Sequence, residues 1–232
     1  MKTLILSLIL GTSLFTQKAT DIDSKDSHGN KARWELPGDV LGTSNQISFN
    51  QGANEVWYFM EGSSLVHDPL TYQFLPKYSA ICPASAGLVG LACWWDTLEP
   101  ANPSAAFPHA EVNFTDHDVF DPLSSTHPAH SMTMHPQNTR LAVIAWRSPE
   151  DMKVGIKGTI KSLYPSLPCG DGVRWSVEKR TTVLASGDTS LSSSGFNVKT
   201  VEVDKGEAIY FISDPKGNDQ CDSTLISVTI SK

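Results

Sequence analysis

The residues best suited to recognition or catalysis in this 232-residue chain fall into three sets. Six tryptophans form the first: Trp34, Trp57, Trp94, Trp95, Trp146 and Trp175. An exposed indole is a natural platform for a sugar, because the C–H face of a pyranose packs flat against an aromatic ring. Trp57, Trp146 and Trp175 sit among apolar neighbours in segments that read as strands, which assigns them to a core. Trp94 and Trp95 are adjacent, so in an extended strand they point to opposite sides and one is expected at the surface. These two are the candidate ligand-binding residues.

The second set is acidic. Asp171 occupies a Gly170-Asp171-Gly172 turn, while Asn218, Asp219 and Asp222 surround Cys221. Calcium takes six to eight oxygen ligands, part of them carbonyls from glycine-rich turns. A Cys169–Cys221 bridge would draw these oxygens together, so Asp171, Asp219 and Asp222 are the candidate ligands of a structural calcium. The competing reading is that each aspartate simply bonds its own turn, and the spacing matches no EF-hand loop.

Histidines form the third set. His109, His117, His127, His130 and His135 fall in one stretch, interspersed with Asp116, Asp118 and Asp121. Imidazoles and carboxylates together suit zinc or copper. Pro128 between His127 and His130 prevents a regular helix from presenting both rings, and loop histidines are commonly solvated or hydrogen-bonded instead. No metal is assigned here. The chain also lacks a GxSxG elbow, an HExxH pair and a phosphate-cradling glycine loop. The strand-borne acids Glu178, Glu202 and Glu207 read as solvent-face residues, so no catalytic residue is assigned.

The elements that must position these residues are short runs separated by turns. Strands are predicted over 55–60, 141–147, 153–160, 172–178, 197–203, 207–212 and 223–230. In the last of these Ile226, Val228 and Ile230 share one face, with Ser227 and Thr229 opposite. Val198 and Lys199 break the alternation of their strand, a slip that a bulge absorbs. Asp204-Lys205-Gly206 and Asp214-Pro215-Lys216-Gly217 are turn sequences with a mechanism, in which Pro presets φ, Gly accepts positive φ and Asp bonds its own backbone. Such punctuation indicates an antiparallel sandwich or barrel. Residues 96–133, rich in Pro and His, read as long loops forming a covering layer with one or two short strands.

Composition narrows the class. With 40% apolar and 19% charged residues the chain builds one sizeable core. A formal net charge of −7 with no basic patch excludes a nucleic-acid binder. Residues 1–20 read as a secretory signal: Lys2 precedes the apolar run Leu4–Leu10, which is too short for a transmembrane helix of about 20 residues. Residues 21–44 read as a flexible lead-in and 45–232 as one domain. Export to an extracellular or periplasmic space makes the four cysteines disulfide candidates with three possible pairings. Cys82 and Cys93 enclose a short Gly/Ala-rich stretch, and Cys169 and Cys221 each adjoin a Gly/Asp turn, which favours Cys82–Cys93 with Cys169–Cys221. The sequon Asn113-Phe114-Thr115 makes Asn113 a candidate glycosylation site.

Several motifs recur in a recognisable order: Val56-Trp57-Tyr58, Trp94-Trp95, Met134-His135-Pro136, the run from Ala142 to Pro149, Val154-Gly155-Ile156-Lys157-Gly158, Gly170-Asp171-Gly172-Val173, Ile209-Tyr210-Phe211 and Cys221-Asp222-Ser223-Thr224. Spanning about Asn45 to Ile230, this series resembles the jelly-roll accessory domains of secreted bacterial proteins, often associated with glycan-degrading enzymes. The resemblance implies an all-β, single-domain antiparallel β-sandwich of jelly-roll type and a noncatalytic carbohydrate-binding or adhesion role, with a glycan or polysaccharide as partner. It also strengthens the calcium reading. Two alternatives remain open. One is a jelly-roll polysaccharide lyase or hydrolase, for which Tyr72, His135 and Arg147 are candidates. The other is a structural subunit of an extracellular coat or filament, self-associating through exposed strand edges.

Overall fold

The computed structural model describes residues 32–41, 51, 56–85, 87–99, 102–121, 125–164, 170–189 and 193–232. In chain order its strands are β1 (Arg33–Leu36), β2 (Trp57–Gly62), β3 (Tyr72–Phe74), β4 (Lys77–Ser79), β5 (Leu91–Glu99), β6 (Asn102–Asn113), β7 (Val119–Phe120), β8 (Thr126–His127), β9 (Met132–His135), β10 (Leu141–Arg147), β11 (Met152–Ser162), β12 (Arg174–Lys179), β13 (Thr182–Asp188), β14 (Ser193–Val203), β15 (Ala208–Asp214) and β16 (Thr224–Ser231). An eight-stranded sheet runs β14-β11-β16-β9-β6-β5-β4, with β1 beside β16, and a six-stranded sheet runs β13-β12-β15-β10-β2-β3.

From β9 onward the chain steps between sheets. β9, β11, β14 and β16 lie in the large sheet and β10, β12, β13 and β15 in the small one. The resulting orders, β14-β11-β16-β9 facing β13-β12-β15-β10, are those of an eight-stranded antiparallel jelly roll. Earlier strands widen both layers, β6-β5-β4 beyond β9 and β2-β3 beyond β10. The topology thus delivers the all-β sandwich of jelly-roll type that the sequence predicts.

Local patterning explains the strands. In β16 the residues Ile226, Val228 and Ile230 are buried while Ser227 is exposed. Between Val154 and Ile156 the β11–β14 register shifts, a bulge that takes up the slip expected at Val198 and Lys199. The main core is an aromatic seam between the sheets. Trp34 meets Trp146 edge-on with ring centroids 5.2 Å apart, Phe59 stacks on Trp94 at 4.0 Å, and Trp175 leans on Phe196 at 5.6 Å. Trp57, Trp146 and Trp175 are core residues, as their neighbours suggest.

Two expectations are corrected. Part of the lead-in placed at 21–44 is structure: β1 pairs with β16 over Val228–Ser231, and Trp34, Leu36, Val40 and Leu41 are buried in the core. The rest of 21–44, the signal segment 1–20 and Cys169 lie outside the described residues. The stretch 96–133 is not mainly loop, because β6 supplies twelve residues to the large sheet and pairs with β5 and β9. Residues 109–113 do alternate, with Ala110 and Val112 in the core and His109, Glu111 and Asn113 on the other face, but they lie in a Pro- and His-rich stretch that reads as loop. The outer face of β5, β6 and β9 carries polar residues that residues 80–85 and 87–90 and the paired β7 and β8 bury.

That cover is held by chemistry as well as packing. A Cys82–Cys93 disulfide, as expected, ties the covering segment to β5, around a small cluster of Cys82, Leu91, Cys93 and Val119. Beneath it the buried Glu111 carboxylate accepts from the Ser85 hydroxyl and pairs with His127 Nδ1 at 2.8 Å. Burial alone would raise the Glu111 pKa, but the His127 contact, aided by His109 and Ser85, holds it below the usual carboxylate range. One rung along, His135 is buried and donates from Nδ1 to the Pro136 carbonyl at 2.6 Å. Burial and then the neighbouring His109 push its pKa down to about 3.

Candidate functional site

The outer face of the six-stranded sheet is built differently. Alternation along β12 sends Trp175 and Val177 into the core and leaves Arg174, Ser176 and Glu178 outside. Cross-strand register then assembles three rungs. Arg174 lies opposite Asp188 and Asp214, Ser176 opposite Ser186 and Ile212, and Glu178 opposite Val183 and Tyr210. After β2 the chain doubles back over this face through residues 63–71. Its short 3-10 turn, Pro69–Thr71, is capped by Asp68, whose carboxylate accepts from the Leu70 N–H at 3.0 Å.

This strap is tied to the sheet by His67. Its Nδ1 lies 2.7 Å from Glu178 Oε1, and its Nε2 lies 4.0 Å from Asp214 Oδ2. Ser176 donates to the same Glu178 oxygen at 2.6 Å, and Glu178 is only 2% exposed. Between the strap and β13 an open groove of about 440 Å³ remains. Its walls include His67, Arg174, Ser176, Glu178, Val183 and Asp214. Val183, 55% exposed, supplies an apolar pad. At the back Gly187 lets the Trp175 indole pass close beneath it, since a Cβ there would stand 2.6 Å from the ring.

Further across the same face, a ladder of stacked groups runs from Arg147 to Phe74. The Arg147 guanidinium lies 4.7 Å above the Tyr58 ring, and Tyr58 stacks on Phe74 at 5.7 Å. Phe74 is 47% exposed. Between ladder and groove, Tyr72 meets Tyr210 edge-on at 5.2 Å. Burial raises both phenol pKa values, and nearby Glu178 adds to the shift at Tyr72. Both hydroxyls therefore stay protonated donors at neutral pH.

Chemically the groove offers hydrogen-bond donors and acceptors beside apolar and aromatic surface, the combination that recognises a polyhydroxylated ligand. It does not present a nucleophile with its base. Ser176 and His67 both bond to Glu178 and not to each other, whereas nucleophilic catalysis needs the hydroxyl held by the imidazole.

The residues singled out from sequence fare unevenly. Trp94 is 1% exposed and stacked inside the core, so it is not a ligand platform. Trp95 points the other way, as adjacency requires, but is partly covered and has the Lys77 ammonium 4.4 Å over its ring. Asn113 is buried rather than presented for glycosylation. Its Nδ2 donates to the carbonyls of His117, His127 and Pro128, and its Oδ1 accepts from Thr115. The sequon is a loop pin. Tyr72 and Arg147 lie on the small sheet, but His135 lies on the large one, so the three lyase candidates do not share a site.

Two of the three candidate calcium ligands accept hydrogen bonds from neighbouring N–H groups. Asp171 accepts from the Gly217 N–H and the Asn218 amide, and Asp219 accepts from the Asn138 N–H. Among the described residues no three His, Cys, Asp or Glu side chains converge as metal ligands. Asp222 alone is left over. It is 1% exposed, neither carboxylate oxygen has a hydrogen-bond partner, and burial, then Asp171 and Asp219, raise its pKa to about 8. Asp171 and Asp219 thus lie close enough to act on the Asp222 charge while their own oxygens accept from neighbouring N–H groups.

His67, Arg174 and Asp214 were not singled out from sequence, and Glu178 was read only as a solvent-face acid. Glu178 does lie on the outer face, as its position in β12 suggests, but His67 from the strap buries it. The available signal was the alternation Arg174, Ser176, Glu178, which marks a polar outer face without revealing its cover.

No protein-family model matches the chain, and no curated protein matches it in sequence. Solved structures similar to it include three carbohydrate-binding modules or module-bearing enzymes. A GH26-CBM35 β-(1,4)-mannanase from Podospora anserina is 14% identical over 53% of this chain and 24% of its own, with a TM-score of 0.32. The tandem CBM51 modules of a family 98 glycoside hydrolase from Streptococcus pneumoniae are 13% identical over 51% and 37%, with a TM-score of 0.36. The C-terminal CBM6 of a laminarinase from Zobellia galactanivorans is 13% identical over 50% and 87%, with a TM-score of 0.27. This chain thus spans about a quarter of the mannanase and over a third of the tandem modules.

Proposed function

We propose that the chain is an exported, noncatalytic glycan-binding module whose ligand lies in the groove between the 63–71 strap and β13. The observation that carries this reading is the groove itself. It is an open trough of about 440 Å³, within the range of ligand sites, walled by hydroxyl, carboxylate, imidazole and guanidinium groups next to apolar Val183. Export is supported by the N-terminal pattern and by the Cys82–Cys93 disulfide. A second bridge, Cys169–Cys221, belongs to the same reading, and nonreducing peptide mapping tests it.

The test is a glycan array probed with the folded protein, followed by titration of any hit against His67→Ala, Arg174→Ala and Val183→Asp variants. A hit weakened about tenfold or more by two of the three supports the assignment. No hit from folded protein, or a hit that all three variants leave unchanged, overturns it.

A further inference from the structure

The charges of the groove point to a class of ligand. Three carboxylates line it: Glu178, Asp188 and Asp214. Each is already answered. Glu178 holds His67 and Ser176. Asp214 Oδ2 receives Arg174 Nη2 at 2.9 Å, and its Oδ1 accepts from the Lys216 backbone at 2.8 Å. Asp188 receives Lys216 Nζ at 2.6 Å. Against these three carboxylates stand the Arg174 guanidinium, the Lys216 ammonium beside the groove and the His67 imidazole.

From this pairing we infer, resting on the glycan-binding reading above, that the groove selects uncharged glycans and discriminates against acidic ones. Among the described residues Arg174 is its one lining arginine, and a uronate or sulfate approaching that guanidinium must compete with Asp214, already in contact with it. The incoming anion would also stand beside Asp214, which contacts Arg174, and Asp188, which lies opposite it, with Glu178 further along the groove; Asp214 and Glu178 are too buried for water to screen well. The formal net charge of −7 adds repulsion of the same sign.

Uncharged hydroxyls meet no such opposition. A carboxylate has about four lone-pair sites, so Asp188 and Asp214 keep acceptor capacity beyond their ion pairs, and Arg174 keeps N–H donors beyond its bond to Asp214. Adjacent hydroxyls of a pyranose match such a set. From the Arg174–Asp188 rung to the Glu178–Val183 rung the groove runs about 13 Å along the strand. That length accommodates a segment of a chain rather than one sugar.

The experiment titrates the full-length protein with neutral polymers (β-glucan, galactomannan, xylan) and acidic ones (polygalacturonate, alginate, heparin), each at low and high salt. Binding to a neutral polymer that changes less than about twofold with salt is expected, with acidic polymers at least about tenfold weaker. A preference for acidic polymers that salt abolishes overturns the inference while leaving glycan binding intact. Asp188→Asn and Asp188→Asn/Asp214→Asn provide the independent arm, with the single variant as the one less demanding on folding. Freeing Lys216 and Arg174 should raise heparin binding several-fold over the parent, whether or not a neutral ligand is found. If neither polymer class binds the parent, the glycan reading fails, and an absent heparin gain in folded variants then overturns the charge argument separately.

Discussion

The two outer faces of this sandwich solve the same problem in opposite ways. Each sheet must deal with polar side chains that strand alternation sends away from the core. On the large sheet residues 80–85 and 87–90 and the paired β7 and β8 close over them, pinned by Cys82–Cys93, so that Glu111, His127 and His135 are buried. On the small sheet a single strap crosses the face and is tied down by His67, leaving a trough beside it. A sealed face concentrates stability in its buried polar contacts. A strapped face keeps hydrogen-bonding groups within reach of a ligand.

The largest effects should come from breaking the seal. Glu111→Ala leaves His127 and Ser85 without their shared acceptor in a dry site, and urea denaturation is expected to show a loss of about 3–5 kcal/mol. A loss under about 1 kcal/mol would mean that water reaches the pair. His135 gives the same face a pH dependence. Unfolded, its imidazole takes a proton below about 6.5, whereas in the fold it stays neutral down to about 3. Stability is therefore complete above pH 6.5 and falls as pH drops towards 3, by up to about 4 kcal/mol. His135→Phe should flatten the melting temperature across that window. Replacing Cys82 and Cys93 by serine removes a short-loop crosslink and should cost about 3 kcal/mol in denaturant midpoint titrations.

Smaller effects sharpen the contrast from elsewhere. Asp222 has a folded pKa of about 8 against an ordinary 3.8, so it keeps its proton where the unfolded chain loses it. Stability consequently declines as pH rises from about 4 to 8. Asp222→Asn should raise the melting temperature at pH 8 and change little at pH 4. A lower melting temperature at pH 8, restored in the parent alone by added calcium, would show instead that a cation uses this carboxylate. The smallest expected change in stability is on the strapped face. His67→Ala releases a partly exposed contact, worth about 1 kcal/mol or less in melting experiments, while ligand affinity drops about tenfold. If stability falls as much as for Glu111→Ala, the strap is part of a second seal.

The features legible in the sequence are those whose signal is local. Apolar or alternating runs marked β10, β15 and β16 within a residue or two of their ends, and β14 only from Asn197 onward, because one face of each packs into the core. The irregularity at Val198 and Lys199 announced a bulge, and a separation of only eleven positions between Cys82 and Cys93 announced a hairpin-sized crosslink. β6 was obscured because its polar residues His109, Glu111 and Asn113 sit in a Pro- and His-rich stretch that reads as loop, although the fold buries them. Asn113 shows the opposite failure: a short surface motif was read as exposed, and three backbone carbonyls claim its nitrogen instead.

The chain by itself determined an all-β sandwich, the apolar faces of its later strands and the tryptophans at its centre, since period-two patterning and burial follow from neighbouring residues. Tertiary structure alone decided which polar residues became a site. His67 and Glu178 are 111 residues apart, and Arg174 meets Asp214 across a strand pairing set by the jelly-roll order. No spacing along the chain encodes those distances. They arise when the small sheet forms and the strap folds back over it.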